Sequence, residues 1–221
     1  MFVKVDGITS EEDALLAVAM GADAIGFVFA PSPRQVQPTV VRDIVKRLPS
    51  DVLTFGVFVN EAPTRVIEVV QGAGLRGAQL HGSTPEQTRA VHEKVRVVFR
   101  SFAAGDPAVR KARDHGADAV VIDNPRPGSG QVFDWSLAED VSSGQRLVLA
   151  GGLTPENVVD AITVVRPWGV DVSSGVEVSP GKKDPRKLRV FIANARAAFE
   201  EVALQLHVPD SPAPYDWRED G

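Results

Sequence analysis

Residues 147–158 read Leu147-Val148-Leu149-Ala150-Gly151-Gly152-Leu153-Thr154-Pro155-Glu156-Asn157-Val158, and they hold a complete change of secondary structure. Four apolar residues suit a strand covered on both faces, the glycine pair ends it, and Thr154-Pro155 offers an N-cap hydroxyl followed by a proline at the first helical position. A helical pattern follows to about residue 165, and Gly169 to Val172 is the next apolar run. Strand, helix and strand in that order form the repeating unit of a parallel sheet.

Outward from this unit the alternation continues over the chain. The other predicted strands are Phe2 to Val5, Ala24 to Phe29, Val52 to Phe58, Gly77 to Leu80, Arg96 to Phe99 and Ala119 to Ile122. Helical patterns lie near residues 10–20, 38–48, 63–72, 85–94, 107–115, 135–141, 155–165 and 184–204, the sixth being short. Thr84-Pro85-Glu86-Gln87 has the spacing of a capping box, Thr9 with Glu12 repeats it, and Asp184-Pro185 opens the last helix. Eight strands, each followed by a helix, predict an α/β fold closed as a TIM (β/α)8 barrel. Gly-Ala-Asp-Ala occurs at Gly21 to Ala24 and again at Gly116 to Ala119, which hints at half-barrel symmetry but is equally explained by a local turn feeding a strand.

The 221 residues are 43% hydrophobic and 24% charged, enough to bury one sizeable core. The barrel is expected over residues 1–205, with the proline-rich residues 206–221 as an extended or disordered tail. A formal net charge of -5 opposes a nucleic-acid footprint. The absence of cysteine excludes disulfides, thiolate metal sites and a cysteine nucleophile or base. The N-terminus does not read as a signal peptide, and no window approaches the roughly 18 apolar residues of a membrane span, so a soluble, cytoplasmic protein without a membrane partner is expected.

In such a barrel the chemistry sits where the strands end. The polar residues there are Asp6, Arg34, Asn60, His81, Asp123 and Asp171, and the last two loops supply Gly151-Gly152 and Ser173-Ser174-Gly175. Small residues in the seventh and eighth loops suit a phosphate, so Gly151, Gly152, Ser174 and Gly175 are the expected phosphate-binding residues. Asp6 and Asp123 end strands one and six, on opposite sides of the mouth. A small substrate between them meets an acid/base pair if burial or a neighbouring charge keeps one carboxyl protonated; each is equally readable as an ordinary turn residue. Arg34, in the stiff Pro31-Ser32-Pro33-Arg34 loop, reads either as a grip for a substrate carboxylate through a bidentate contact or as an ordinary surface arginine. His81 has no second histidine or carboxylate at metal-ligand spacing. It reads as a loop-orienting residue beside the substrate, and no metal is expected.

Several blocks in this order give the chain a resemblance to the phosphoribosylanthranilate isomerase family over roughly its first 200 residues. They include Lys4-Val5-Asp6-Gly7-Ile8-Thr9, Gly21 to Phe29, Gly56-Val57-Phe58-Val59-Asn60, Gln79-Leu80-His81-Gly82, Phe133-Asp134-Trp135-Ser136-Leu137, Leu149 to Val158 and Val170 to Glu177. The resemblance implies an Amadori rearrangement of N-(5-phosphoribosyl)anthranilate in tryptophan biosynthesis, without metal or organic cofactor, by a monomer or homodimer. It places the general acid at Asp123, the arginine for the anthranilate carboxylate at Arg34, the phosphate loops at Gly151-Gly152 and Ser174-Gly175, and an aspartate near the bridging amine at Asp171. The family's base, a cysteine in a Lys-Ile-Cys-Gly-Ile-Thr block, corresponds to Asp6. A carboxylate is ionised at pH 7 without help but is a weaker base than a thiolate. The loop after strand six, Asn124 to Val132, is also shorter than the family's glycine-rich loop.

Two other readings compete. A histidine-pathway or dual-substrate isomerase uses a similar aspartate pair, but its substrate carries two phosphates, and Val57-Phe58-Val59-Asn60-Glu61 is a poor cradle for the second. A non-catalytic phosphate-binding barrel serving as a scaffold subunit is the alternative from outside enzymology.

Overall fold

A computed structural model describes residues 2–124, 134–138 and 144–206. Most of the loop after strand six, the end of the sixth helical pattern and the C-terminal tail lie outside the described residues. The apolar runs form β1 (Phe2–Val5), β2 (Ala24–Val28), β3 (Leu53–Val59), β4 (Gly77–His81), β5 (Val97–Ala103), β6 (Ala119–Asp123), β7 (Leu147–Leu149) and β8 (Gly169–Val172). All pair in parallel in sequence order, and β1 pairs with β8 to close the barrel. The expected TIM barrel is the observed fold.

Period two sorts each strand's residues between inside and outside. Phe2, Ala24, Phe55, Phe99, Ala119, Val121, Val148 and Ala150 pack inside. At the N-terminal end of the barrel Phe2 stacks on Trp168 with ring centroids 4.7 Å apart, and Phe55 lies 4.6 Å from Phe99. That plug fills one end and leaves the polar interior residues at the other. The opposite strand faces, including Val3, Val5, Ile25 and Phe27, pack with Val41, Ile44, Val66, Val70, Leu188 and Phe191 of the surrounding helices.

Those helices are α1 (Glu11–Ala19), α2 (Pro38–Val45), α3 (Pro63–Ala73), α4 (Pro85–His92), α5 (Val158–Val165) and α6 (Pro185–Leu206). Pro107–His115 and Trp135–Ala138 are 3-10 turns where α-helices were expected. β5 runs to Ala103, four residues past its predicted end. The first cap is Ser10, which accepts from Asp13 N, rather than Thr9 with Glu12; Thr9 Oγ1 donates instead to Gly181 O at 2.5 Å. α5 starts at Val158 because Thr154 to Asn157 form a turn, in which Thr154 N donates to Asn157 Oδ1 at 2.8 Å. Two short antiparallel strands absent from the sequence reading, β9 (Glu177–Ser179) and β10 (Lys182–Lys183), follow β8.

The repeated tetrapeptide has a local cause. Asp23 Oδ2 accepts from Val3 N at 2.7 Å, and Asp118 Oδ2 accepts from Val98 N at 2.8 Å, so each aspartate caps the strand preceding its own.

Thr84 caps α4 reciprocally: Thr84 N donates to Gln87 Oε1 at 2.9 Å and Gln87 N donates to Thr84 Oγ1 at 3.3 Å. Thr84→Ala is expected to lower stability by about 1 kcal/mol, read as a lower urea midpoint at unchanged slope. An unchanged midpoint contradicts that role for the cap.

Candidate active site

The C-terminal ends of the strands surround a cavity of about 420 Å3 whose wall includes Asp6, Arg34, His81, Asp123, Gly151, Gly152, Asp171 and Ser174. Of the residues singled out from sequence, only Asn60 and Gly175 stand outside that wall. Gly175 lies behind it: a Cβ there would fall 1.9 Å from Leu153 O, so its bare backbone lets the eighth loop rest on the seventh. Asp6 and Asp123 share the cavity, but their strands are not diametrically opposed, since only β7 and β8 separate β6 from β1.

Asp6 is buried on the interior wall. It packs so closely over β2 that a Cβ at Gly26 would come within 1.8 Å of Asp6 Oδ1. Lys4, two residues earlier and therefore on the same face of β1, is fully buried; its ammonium donates to Asp6 Oδ1 and, at 3.0 Å, to Asp171 Oδ2. Burial opposes the charge on Lys4, but Asp171 and Asp6 outweigh it and hold the ammonium above the usual lysine range. One cation cannot neutralise two carboxylates. Asp171 bears the consequence: burial first, then the charge of Asp6, pushes its carboxyl well above the usual aspartate range despite Lys4. Its Oδ1 has no hydrogen-bond partner among the described residues.

Asp123 ends β6 with Oδ1 accepting from Asn124 N at 2.7 Å. Burial, reinforced by the charge of Asp6, raises its carboxyl to about 6 although that N–H and Lys4 work the other way. A carboxyl at about 6 keeps a fraction of its protons toward neutral pH, which one in the ordinary aspartate range does not. The αL backbone of Gly151, φ 82°, brings the seventh loop against it, where a Cβ would meet Asn124 N at 2.4 Å. His81 is lowered to about 4, chiefly by burial, so its imidazole is neutral at pH 7; Gln79 Nε2 lies 3.3 Å from His81 Nε2.

Arg34 is buried in the cavity wall, but not as a free fork. Its Nε donates to Glu177 Oε1 at 2.9 Å and its NH2 to Glu177 Oε2 at 2.7 Å. A bidentate contact with a substrate carboxylate must therefore use the other edge of the guanidinium.

Sequence reasoning assigned no role to Lys4, Glu177 or Lys183. For Lys4 a signal existed: a lysine inside an apolar strand, in period-two register with Asp6. For Glu177 and Lys183 the signal is weaker, a charged residue on each side of a Pro180-Gly181 turn.

At the seventh loop, Asn157 Nδ2 donates to Gly152 O at 3.0 Å and Glu156 N to Thr154 Oγ1 at 3.2 Å, which fixes the loop before α5 begins. At the end of β3 the cavity meets only Val57 and Val59. Among the described residues no cluster of His, Cys, Asp or Glu is arranged to hold a metal ion, and no helix is long and apolar enough to cross a membrane.

The family model described as N-(5'phosphoribosyl)anthranilate (PRA) isomerase matches residues 3–194. N-(5'-phosphoribosyl)anthranilate isomerase of Desulforudis audaxviator is 46% identical over 205 residues, covering 89% of this chain and 98% of that protein. The crystal structure of phosphoribosyl anthranilate isomerase from Thermus thermophilus superposes with a TM-score of 0.84 at 40% identity, covering 89% of this chain and 99% of that one. A further structure of the isomerase, in complex with reduced 1-(o-carboxyphenylamino)-1-deoxyribulose 5-phosphate, has a TM-score of 0.79 at 40% identity, with coverage of 89% and 99%. These comparisons do not favour the histidine-pathway or scaffold readings. Matched in fold and in sequence along most of its length, the chain belongs to the N-(5'-phosphoribosyl)anthranilate isomerase family.

Proposed function

We propose that in this chain Asp6 is the general base and Asp123 the general acid for the isomerisation of N-(5'-phosphoribosyl)anthranilate. The observation that carries the reading is the company they keep: two carboxyls, one of them raised to about 6, share one cavity with the glycine and serine loops after β7 and β8.

The phosphate is held by Gly151, Gly152, Ser174 and the loop backbone that Gly175 allows to approach, which fixes the ribose between the carboxyls. Asp123, protonated, gives its proton to the ring oxygen as the C1–O bond breaks. The lone pair of the amine nitrogen forms the C1=N bond of an iminium. Asp6 then removes the proton on C2, and the C2–H electrons form a C1=C2 enolamine while those of C1=N return to nitrogen. Loss of the hydroxyl proton at O2 and protonation of C1 complete the aminoketose. Asp171, whose Oδ1 has no hydrogen-bond partner among the described residues, is assigned to the bridging nitrogen. His81, neutral, contacts the substrate without titrating at pH 7.

The acid and base make no use of a metal or organic cofactor, and the product keeps the atoms of the substrate. The absent cysteine is accommodated because an ionised carboxylate needs no activation to accept a proton, at the cost of lower intrinsic basicity. A cytoplasmic location and a monomeric or homodimeric state accord with this role.

Two expectations follow from the assignments. Asp6→Asn lowers kcat by a factor on the order of 10² to 10⁴, the usual worth of one general base, while the affinity for a reduced product analogue stays within a few-fold; loss of binding in proportion to rate reassigns Asp6 to substrate contact. For Asp123 the sign follows from its raised carboxyl. The contribution to folding is fully present below about pH 4 and is lost as pH rises through about 6. Asp123→Asn, which cannot ionise, therefore gains stability relative to the wild type between pH 4 and pH 8, by on the order of 3 kcal/mol. Parallel wild-type and variant stability curves across that interval contradict a buried, raised Asp123.

A further inference from the structure

Glu177 and Lys183 belong to the hairpin after β8, where they are register partners. Both are buried, at 7% and 1% exposure. Glu177 receives the Nε–NH2 edge of Arg34 and, on Oε1, the ammonium of Lys183 at 3.0 Å. That ammonium also donates to Ser173 O at 3.1 Å, the residue immediately before the Ser174 loop. The hairpin is itself anchored: Lys183 N donates to Asp13 Oδ2 at 3.1 Å, Lys187 Nζ to Glu177 O at 3.1 Å, and Thr9 Oγ1 to Gly181 O.

A guanidinium carries five N–H donors in one plane. Two are used on Glu177. Among the described residues the side-chain donors of NH1 and the second donor of NH2 have no partner, and these make up the end-on edge of a group that belongs to the cavity wall. Within the cluster the guanidinium of Arg34 and the ammonium of Lys183 share the Glu177 carboxylate, and these contacts already hold the long side chains in place. Holding a donor in its bound orientation removes much of the ordering cost of binding.

We propose that Glu177 is a positioning residue which orients Arg34 so that the end-on edge of the guanidinium receives the aryl carboxylate of the substrate, and that Lys183 ties this carboxylate subsite to the phosphate loop through Ser173. The proposal rests on the assignment of Arg34 to the substrate carboxylate. It adds that the contact is made by one defined edge, and that the two ends of the substrate are read by one connected cluster.

The test is a double-mutant cycle in steady-state kinetics with Arg34→Ala, Glu177→Gln and the double variant. Arg34→Ala is expected to raise KM at least tenfold with kcat within about threefold, as loss of one charge-assisted contact made equally in ground and transition states does. Glu177→Gln, which must turn an amide N–H against one of its cations, is expected to raise KM about tenfold and to add nothing in the Arg34→Ala background. Glu177→Asp keeps the charge but shortens the reach and should fall between wild type and Glu177→Gln; it carries the same cycle if Glu177→Gln does not fold by circular dichroism. Lys183→Met should weaken inhibition by inorganic phosphate as well as raising KM, whereas Glu177→Gln should leave phosphate inhibition within twofold. If Arg34→Ala leaves KM unchanged, the carboxylate assignment fails and the proposal with it. If Arg34→Ala raises KM but the Glu177 variants do not, or if they raise it equally without Arg34, the assignment stands and the positioning role is overturned.

Discussion

One buried ammonium shared by two carboxylates governs the electrostatics of this barrel. Lys4 is held inside by the closed sheet, out of reach of water, with Asp6 on its own strand and Asp171 on the neighbouring β8. A buried charge persists only with a partner, and two carboxylates against one cation leave a surplus that only a proton can relieve. Asp171, the more deeply enclosed member, has its carboxyl pushed well above the usual aspartate range, while Asp6 leans on the ammonium. A neutral group in place of Asp6 leaves Lys4 and Asp171 as a simple pair. The carboxylate at position 6 therefore acts on both of the others: its charge helps to push Asp171 up and to raise Asp123 across the cavity.

Opposite charge balances serve the two ends of the cavity. Around Asp6 the carboxylates outnumber the cation, whereas around Glu177 the cations outnumber the carboxylate. A substrate with a reacting sugar in its middle and an aryl carboxylate at one end fits that polarity, with proton-handling groups in the middle and a cationic wall at the end. The short backbone distances reinforce it. Gly26 lets Asp6 lie flat on β2, and Gly175 lets the eighth loop rest on the seventh, so the proposed reacting groups sit on strands and on loops tied to them rather than on free segments.

Legibility in the sequence followed the range of the interactions. The eight strands were readable because a strand covered on both faces shows its apolar run directly, and only β5, extended by its pairing with β6, ran well past its predicted end. Helix starts were readable where the cap is local, as at Thr84 and Asp184, and misplaced where residues near the start served another end: Thr9 reaches Gly181, and Asn157 is drawn to Thr154 and Gly152. The carboxylates of the cavity were visible as polar residues closing apolar runs. Lys4, Glu177 and Lys183 were not, because each acquires its meaning from a partner brought near by closure of the barrel. Lys4 meets Asp171 across 167 positions of sequence and Arg34 meets Glu177 across 143. Arg34 does line the cavity, while the edge available to a ligand could be known only after Glu177 had taken the other.

The central claim is that the group at position 6 takes the proton from C2. The direct measurement is the pH dependence of turnover for wild type and Asp6→Cys under conditions where chemistry limits the rate. The account predicts that the cysteine variant is active and gains rate relative to the wild type as pH rises toward the value at which a thiol ionises, ordinarily about 8.5, while loss of the Asp123 proton above about pH 6 lowers both profiles. Superimposable profiles for the two proteins contradict it, since they place the base elsewhere.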